Sequence, residues 1–141
     1  MNCAKFFNTA GPVNQPEHYK LDPLTRWDLE EIEFLIEQEK YFVFYAPRQT
    51  GKTSCMLALQ EHLNALGLYN AIYCNFESGQ ASRNDILAGV KGIINELLTR
   101  SKEVLNKELP FSSNSLLEEG GYTNGLNAAM RAICKASDKP V

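Results

Sequence analysis

One short segment of the chain combines residue types that can bind phosphate. It starts with Ala, continues through four variable residues, and ends in Gly-Lys-Thr: Ala46-Pro47-Arg48-Gln49-Thr50-Gly51-Lys52-Thr53. Glycine lets a backbone approach a ligand closely, lysine supplies a positive charge, and a hydroxyl group can coordinate Mg²⁺. We call residues 46–53 the motif segment. Its composition and spacing predict binding of polyphosphate together with Mg²⁺.

The residues on either side of the motif segment support this interpretation. Residues 41–45 form an aromatic and β-branched run without polar alternation, which is typical of a strand covered on both faces. Apolar spacing predicts a helix over 53–66, with Gly67 as its stop. A loop between a strand and a helix can direct successive backbone N–H groups at a phosphate, and the helix N-terminus adds partial positive charge.

Roles for individual residues follow from that context. Lys52 is expected to reach the β- and γ-phosphates, and the Thr53 hydroxyl is expected to ligate Mg²⁺. Ser54 continues the predicted site along the helix. Arg48 occupies a variable loop position, where it serves either as a solvent or partner contact or as a catalytic arginine.

A second strand is predicted over residues 71–76, so residues 41–76 read as a right-handed βαβ unit. The sequence therefore predicts an α/β fold with a parallel sheet. The two strands make up only about 8% of the chain, against roughly 20–25% in ordinary domains. This deficit favours either pairing with another copy or the front part of a longer protein, and we expect the second.

Helices are also predicted at both sides of this unit. Asp22 and Pro23 are a typical helix start, and apolar residues keep the helical period as far as Ile36. Ser82 and Asp85 resemble a capping box at the start of a long helix. Towards the C-terminus, a Ser-, Asn- and Gly-rich loop over 109–122 and a last helix over 123–136 are expected.

Composition excludes several classes of protein. The 141 residues include 14 Lys and Arg and 17 Asp and Glu, a formal net charge of −3, which gives no support for non-specific nucleic-acid binding. No apolar run approaches the ~18–20 residues that a membrane span needs, and the N-terminus does not read as a signal peptide. The four cysteines are scattered, which favours reduced thiols in a cytoplasmic protein.

The sequence resembles a prokaryotic family of AAA-like ATPases related to the origin-recognition and signal-transduction (STAND) ATPases. The resemblance rests on the motif segment with Ser54 and on further stretches: Phe7-Asn8-Thr9-Ala10-Gly11-Pro12-Val13, His18-Tyr19, Tyr41-Phe42-Val43, Asn64, Asn75-Phe76-Glu77, Gln80 and Arg83. It implies a three-layer P-loop NTPase sandwich that binds ATP and Mg²⁺. Residues 1–22 would be an adenine-side segment and residues 23–141 a partial ATPase core.

The same resemblance implies that the region from Pro12 to Arg26 helps to hold adenine, with His18 and Tyr19 as the foremost candidate contacts. The alternative is that these residues simply pack the N-terminal segment onto the domain.

The chain departs from that family in one respect that matters for catalysis. Such ATPases carry an apolar strand ending in Asp-Glu, the Walker B motif, and this sequence contains no such stretch. The sensor arginine and the C-terminal lid are also missing. We therefore expect a fragment truncated before the Walker B strand, in which hydrolysis is weak or absent.

Glu77 is the one acidic residue with a position suited to replace the missing motif. It closes the second predicted strand, at the end of a parallel sheet that faces the ligand crevice. It would then contact Mg²⁺ or the attacking water. The alternative is a surface turn residue or a cap for the following polar loop.

Three functions compete on the sequence alone. The first is a module that binds Mg-ATP with little turnover. The second is a non-hydrolysing interaction module or homodimer in which nucleotide acts as a switch. The third is a small-molecule kinase. Such kinases usually have an arginine-rich lid, and this chain has only a few scattered arginines.

Overall fold

The computed structural model describes residues 5–7, 19, 21–80, 82 and 84–141. These divide into two compact units, Met1–Leu59 and Gln60–Val141, which we call the first and the second unit and describe separately. The described part of the chain is 61% helical and contains no strand. Its elements in chain order are a 3₁₀ turn Pro23–Arg26, α1 Leu29–Glu37, α2 Lys52–Leu66, α3 Glu77–Gln80, α4 Ile86–Leu105 and α5 Ser113–Ala136.

The predicted α/β sandwich with a parallel sheet is therefore wrong. Residues 41–45 and 71–76, the two expected strands, form neither strand nor helix. Aromatic and β-branched residues favour extended backbone, but a strand exists only when a neighbouring segment completes its hydrogen-bond ladder. Within the described residues, neither segment has such a neighbour. Local preference alone was not sufficient to form a sheet.

The backbone of the second expected strand is instead held at its start by side chains of α2. The amide of Ala71 donates to Asn64 Oδ1 at 2.8 Å, and Asn64 Nδ2 donates back to the Ala71 carbonyl at 3.0 Å. Gln60 Nε2 donates to the same carbonyl at 3.2 Å. These amide side chains satisfy backbone groups that a neighbouring strand would otherwise have paired.

The helix predicted from Asp22 is interrupted after one turn. Asp22 Oδ1 accepts the amide of Leu24 at 3.0 Å and so caps the 3₁₀ turn only. A second cap, Asp28, starts α1 by accepting the Glu31 amide at 3.1 Å. Between the two, Trp27 has extended backbone and stacks on Phe44 with ring centroids 4.2 Å apart. This aromatic contact accompanies the break in the helical period.

Helices α2 and α4 confirm their predictions. Helix α2 ends at Leu66 and is followed by Gly67 with a φ of 72°. Helix α4 begins after Asp85, whose carboxylate accepts the Ala88 amide at 2.9 Å, so Asp85 rather than Ser82 is the cap.

The loop predicted over 109–122 is largely helical. Ser112 and Ser115 form a capping box, and α5 starts at Ser113. The helix is broken at Gly121, where φ is 62° and ψ is −176°. The many serines and glycines suggested a loop, but the capping box starts a helix and Gly121 alone interrupts it.

The two units have cores of different size. In the second unit α4 and α5 pack around seven buried residues: Ile94, Leu98, Leu105, Leu109, Leu116, Ala129 and Ile133. In the first unit the described buried apolar residues are Ile32, Cys55 and Leu59. None of the helices in the described part of the chain is both long and apolar enough to cross a membrane.

Candidate phosphate-binding site

The motif segment lies in the first unit, where residues 46–51 form an irregular loop that leads directly into α2 at Lys52. Two residues of this loop have left-handed backbone: Gln49 with a φ of 60° and Gly51 with a φ of 79°. Such residues turn the chain sharply, and glycine adopts this conformation at no steric cost. The loop therefore turns sharply just before the helix begins.

Side chains occupy three carbonyl groups of the loop. Lys52 Nζ donates to the carbonyls of Ala46 at 2.9 Å and Pro47 at 2.6 Å. Thr50 Oγ1 also donates to the Pro47 carbonyl, at 2.8 Å. Arg26 Nη1 donates to the Thr50 carbonyl at 2.7 Å. The positive groups of Lys52 and Arg26 thus both lie on this loop.

These loop carbonyls accept side-chain donors, whereas the first amides of α2 have no backbone hydrogen-bond partner in the described chain. The Cys55 amide donates to the Gly51 carbonyl at 3.0 Å, the first backbone hydrogen bond of the helix. Earlier amides in a helix have no intrahelical acceptor. In the described chain no backbone carbonyl accepts the amides of Gly51, Lys52 or Thr53. These backbone donors lie at the N-terminus of α2, where the helix dipole is positive and attracts anions.

Gly51 is favoured by its backbone angle, and the absence of a Cβ atom also leaves room for the end of the Arg26 side chain. A Cβ atom at this position would lie 2.9 Å from Arg26 Nη1. Cβ atoms essentially never lie that close to a non-bonded heavy atom, so any other residue here would make the end of the Arg26 side chain shift. The residues fit a phosphate group: a glycine, donor amides and two cations are present together.

A cavity of about 250 Å³ lies beside the loop. It is lined by aromatic, cationic and small residues: Arg26, Trp27, Phe44, Tyr45, Ala46, Thr50, Lys52 and Cys55. Small-molecule pockets are usually at least about 300 Å³, so this cavity is slightly smaller than usual and has room for only part of a nucleotide. Cys55 is 2% exposed and its thiol lies 3.5 Å from the Pro23 carbonyl, so it packs the cavity floor.

The structure brings some of the predicted site residues together. Thr53 is exposed on the first turn of α2, and Ser54 is half-buried beside it. Arg48 is exposed in the loop. For Mg²⁺ the first unit offers the Thr53 hydroxyl, and the described residues contain no group of three or more His, Cys, Asp or Glu side chains suited to a metal. A metal ion bound to the Thr53 hydroxyl would therefore need phosphate oxygens as further ligands.

Other predicted residues belong elsewhere. Glu77 is an exposed residue at the start of α3 in the second unit, where its amide donates to Asn75 Oδ1 at 2.9 Å. Its catalytic role stays a prediction. Tyr19 contacts Phe7, with ring centroids 4.9 Å apart, and its amide donates to the Phe6 carbonyl. His18 lies outside the described residues, so the proposed adenine contacts also remain predictions.

The resemblance placed Arg26 at the end of a region expected to help hold adenine, but sequence reasoning missed its contact with Thr50 and the aromatic lining by Trp27 and Phe44. Arg26 and Thr50 are 24 positions apart, and no spacing rule links such a pair. The fact that Arg26 follows the turn-forming residues Asp22 and Pro23 could not indicate where its side chain lies.

Comparison with family models, with curated proteins and with solved structures finds no match to this chain.

Proposed function

We propose that the first unit binds the phosphates of a nucleoside triphosphate, most simply ATP, together with Mg²⁺ at the motif segment. The observation that carries this proposal is the arrangement of the loop. Lys52 and Arg26 engage its carbonyls, while the amides of Gly51, Lys52 and Thr53 have no backbone acceptor in the described chain. The sequence pattern at the same residues independently supports it.

The cavity extends the support from phosphate to nucleotide. It joins cationic residues to the stacked rings of Trp27 and Phe44, which are 21° from coplanar. Aromatic surface beside polar groups is a common lining of small-molecule sites. A polyphosphate with an attached planar base therefore suits the lining better than inorganic phosphate alone.

We further propose that turnover is slow. Phosphoryl transfer depends on positioning and on stabilisation of charge, and it usually needs an acidic residue that holds Mg²⁺ or orients water. The sequence has no Walker B motif, and the role of Glu77 is a prediction. Binding without efficient hydrolysis is therefore the expected activity of this chain.

Calorimetric titration with Mg-ATP tests the proposal. The unaltered protein should bind one equivalent, and Lys52→Met should weaken binding by at least about tenfold, because charge-assisted hydrogen bonds contribute about 1.5–3 kcal/mol. Lys40→Met removes the same charge from an exposed residue of the same unit and should bind as the unaltered protein does. Equal affinity of the Lys52→Met and unaltered proteins would contradict the proposal.

A second candidate function is a nucleotide-dependent interaction module that pairs with a second copy of this chain. One observation favours it: Tyr41, Val43 and Tyr45 are almost fully exposed, at 106%, 90% and 96%. Such a row of large apolar side chains is unusual on a monomer surface. Light scattering with and without Mg-ATP distinguishes this function from the first. A dimer that the double substitution Tyr41→Ser/Val43→Ser abolishes would support it. A protein that stays monomeric under both conditions would exclude it.

A further inference from the structure

Arg26 is one of the two cations at the loop, and its contact with the loop is specific. Its Nη1 atom donates to the carbonyl of Thr50 at 2.7 Å. The peptide group between Thr50 and Gly51 is trans, since the described residues contain no cis peptide bond. In a trans peptide the carbonyl oxygen and the following N–H point in opposite directions. Fixing the Thr50 oxygen therefore fixes the direction of the Gly51 N–H.

This peptide group could otherwise rotate. Glycine populates positive and negative φ about equally, so Gly51 by itself does not hold its φ of 79°. A rotated peptide would direct the Thr50 oxygen to where the Gly51 N–H now points. A carbonyl oxygen there would repel an anion instead of binding it. Some other group must select the orientation that favours anions.

We propose that Arg26 is a positioning residue, which clamps the Thr50–Gly51 peptide so that the Gly51 N–H stays available to phosphate. This inference rests on the proposed function of the motif segment. Arg26 and Gly51 form a matched pair in this role, because a Cβ at Gly51 would lie only 2.9 Å from Nη1. The glycine permits both the backbone angle and the close approach of the guanidinium.

The charge of Arg26 strengthens the clamp. A hydrogen bond from a guanidinium to a neutral carbonyl is charge-assisted, so it is stronger than one between neutral groups. The side chain is exposed, and its contact with Thr50 bridges the 3₁₀ turn and the loop within one unit. Loss of the contact should therefore change the loop far more than it changes folding.

The test compares Arg26→Met, which keeps an unbranched stem but has no donor, with Arg26→Lys, which restores a charged donor. In the ¹⁵N-labelled, ligand-free protein, Arg26→Met should shift or broaden the amide signal of Gly51, and Arg26→Lys should restore it in part. Affinity for Mg²⁺-tripolyphosphate and for Mg-ATP should fall by the same factor, about tenfold. The melting temperature should change by less than about 4 °C.

Arg131→Met is the matched control, because it removes the same charge from an exposed residue of α5. An unmoved Gly51 signal in Arg26→Met, or affinities within twofold of the unaltered protein, would overturn the clamp. A loss of ATP affinity with tripolyphosphate affinity intact would also overturn it, since Arg26 would then act on the base. Absence of any polyphosphate binding by the unaltered protein would instead overturn the proposed function, and the Gly51 signal would still report on the contact.

Discussion

The two units fix their backbones by different means. In the first unit the critical loop is held by polar side chains on its carbonyls, from Lys52, Thr50 and Arg26. In the second unit α4 and α5 are held by a buried apolar cluster, in which Ile94 and Ala129 are fully buried. Apolar burial stabilises a fold without directing any single atom, whereas hydrogen bonds direct atoms but add little net stability. Stability and binding geometry should therefore respond to different substitutions.

The largest expected effect on folding is in the second unit. Ile94 is fully buried against the α4–α5 cluster, so Ile94→Ala should lower the free energy of unfolding by about 2–5 kcal/mol through lost burial and a remaining cavity. In the first unit, exposed Val43→Ala should change it by less than about 0.5 kcal/mol. Urea unfolding measures both. Comparable losses from the two substitutions would erase the contrast between the units.

A smaller effect on stability, with a complete effect on binding, is expected at Gly51. Gly51→Ala places a Cβ at a φ of 79° and 2.9 Å from Arg26, and left-handed backbone costs a non-glycine residue about 1–2 kcal/mol. We expect that loss in urea unfolding and no measurable binding of Mg-ATP by calorimetry.

Gly67→Ala separates backbone strain from the site itself. Gly67 has a φ of 72° and open space around its Cβ position, so its substitution carries the strain without the collision. It should lose a similar amount of stability and keep its affinity for Mg-ATP. Equal loss of binding in both variants would mean that lowered stability, not the fit of Gly51 to Arg26, accounts for the lost binding.

The helix cap at Ser112 should have an effect of about 1 kcal/mol. Ser112→Ala removes the side chain that accepts the Ser115 amide at 3.3 Å and opens the capping box of α5. Circular dichroism should show a small loss of helix, and urea unfolding a matching loss of stability. The neighbouring, exposed Asn114→Ala should change neither. An unchanged helix signal in Ser112→Ala would argue that residues 113–120 owe their helix to packing alone.

The sequence predicted those elements of the fold that depend on interactions between residues close together in the chain. Although the cap of α4 is Asp85 and not Ser82, the existence of this helix and of α2 with Gly67 was predictable because capping and apolar spacing act over a few residues. The sheet was not, because the strand preference of 41–45 and 71–76 is also local, whereas a sheet requires a partner segment. For α5 the sequence analysis predicted a loop from the Ser-, Asn- and Gly-rich composition, and the Ser112–Ser115 capping box became evident only in the structure.

In the candidate site, too, the local features were predictable from the sequence and the long-range contacts were not. The motif segment identified the loop and Lys52 because the chemistry of phosphate binding constrains consecutive residues. The contact of Arg26 with Thr50 joins residues that only the folded chain brings together, so no pattern pointed to it. The stacking of Trp27 on Phe44 could not be predicted either, because these two aromatic residues are far apart in the sequence.

The smallest expected effect is a pH-dependent one, in the second unit. Hydrogen bonds from the backbone of Asp138 and from the Asn70 side chain, the latter at 3.4 Å, hold the pKa of the Asp138 carboxyl below its usual range. A lowered pKa stabilises the folded state above the unfolded value of about 3.9, and this contribution is lost as the pH falls through the folded pKa. Asp138→Asn should therefore be slightly less stable than the unaltered protein at pH 7, with the difference disappearing in strong acid. Urea midpoints across this range measure it, with Glu61→Gln as an exposed control on α2. A difference that grew on acidification would reverse the sign and show that the carboxylate opposes folding.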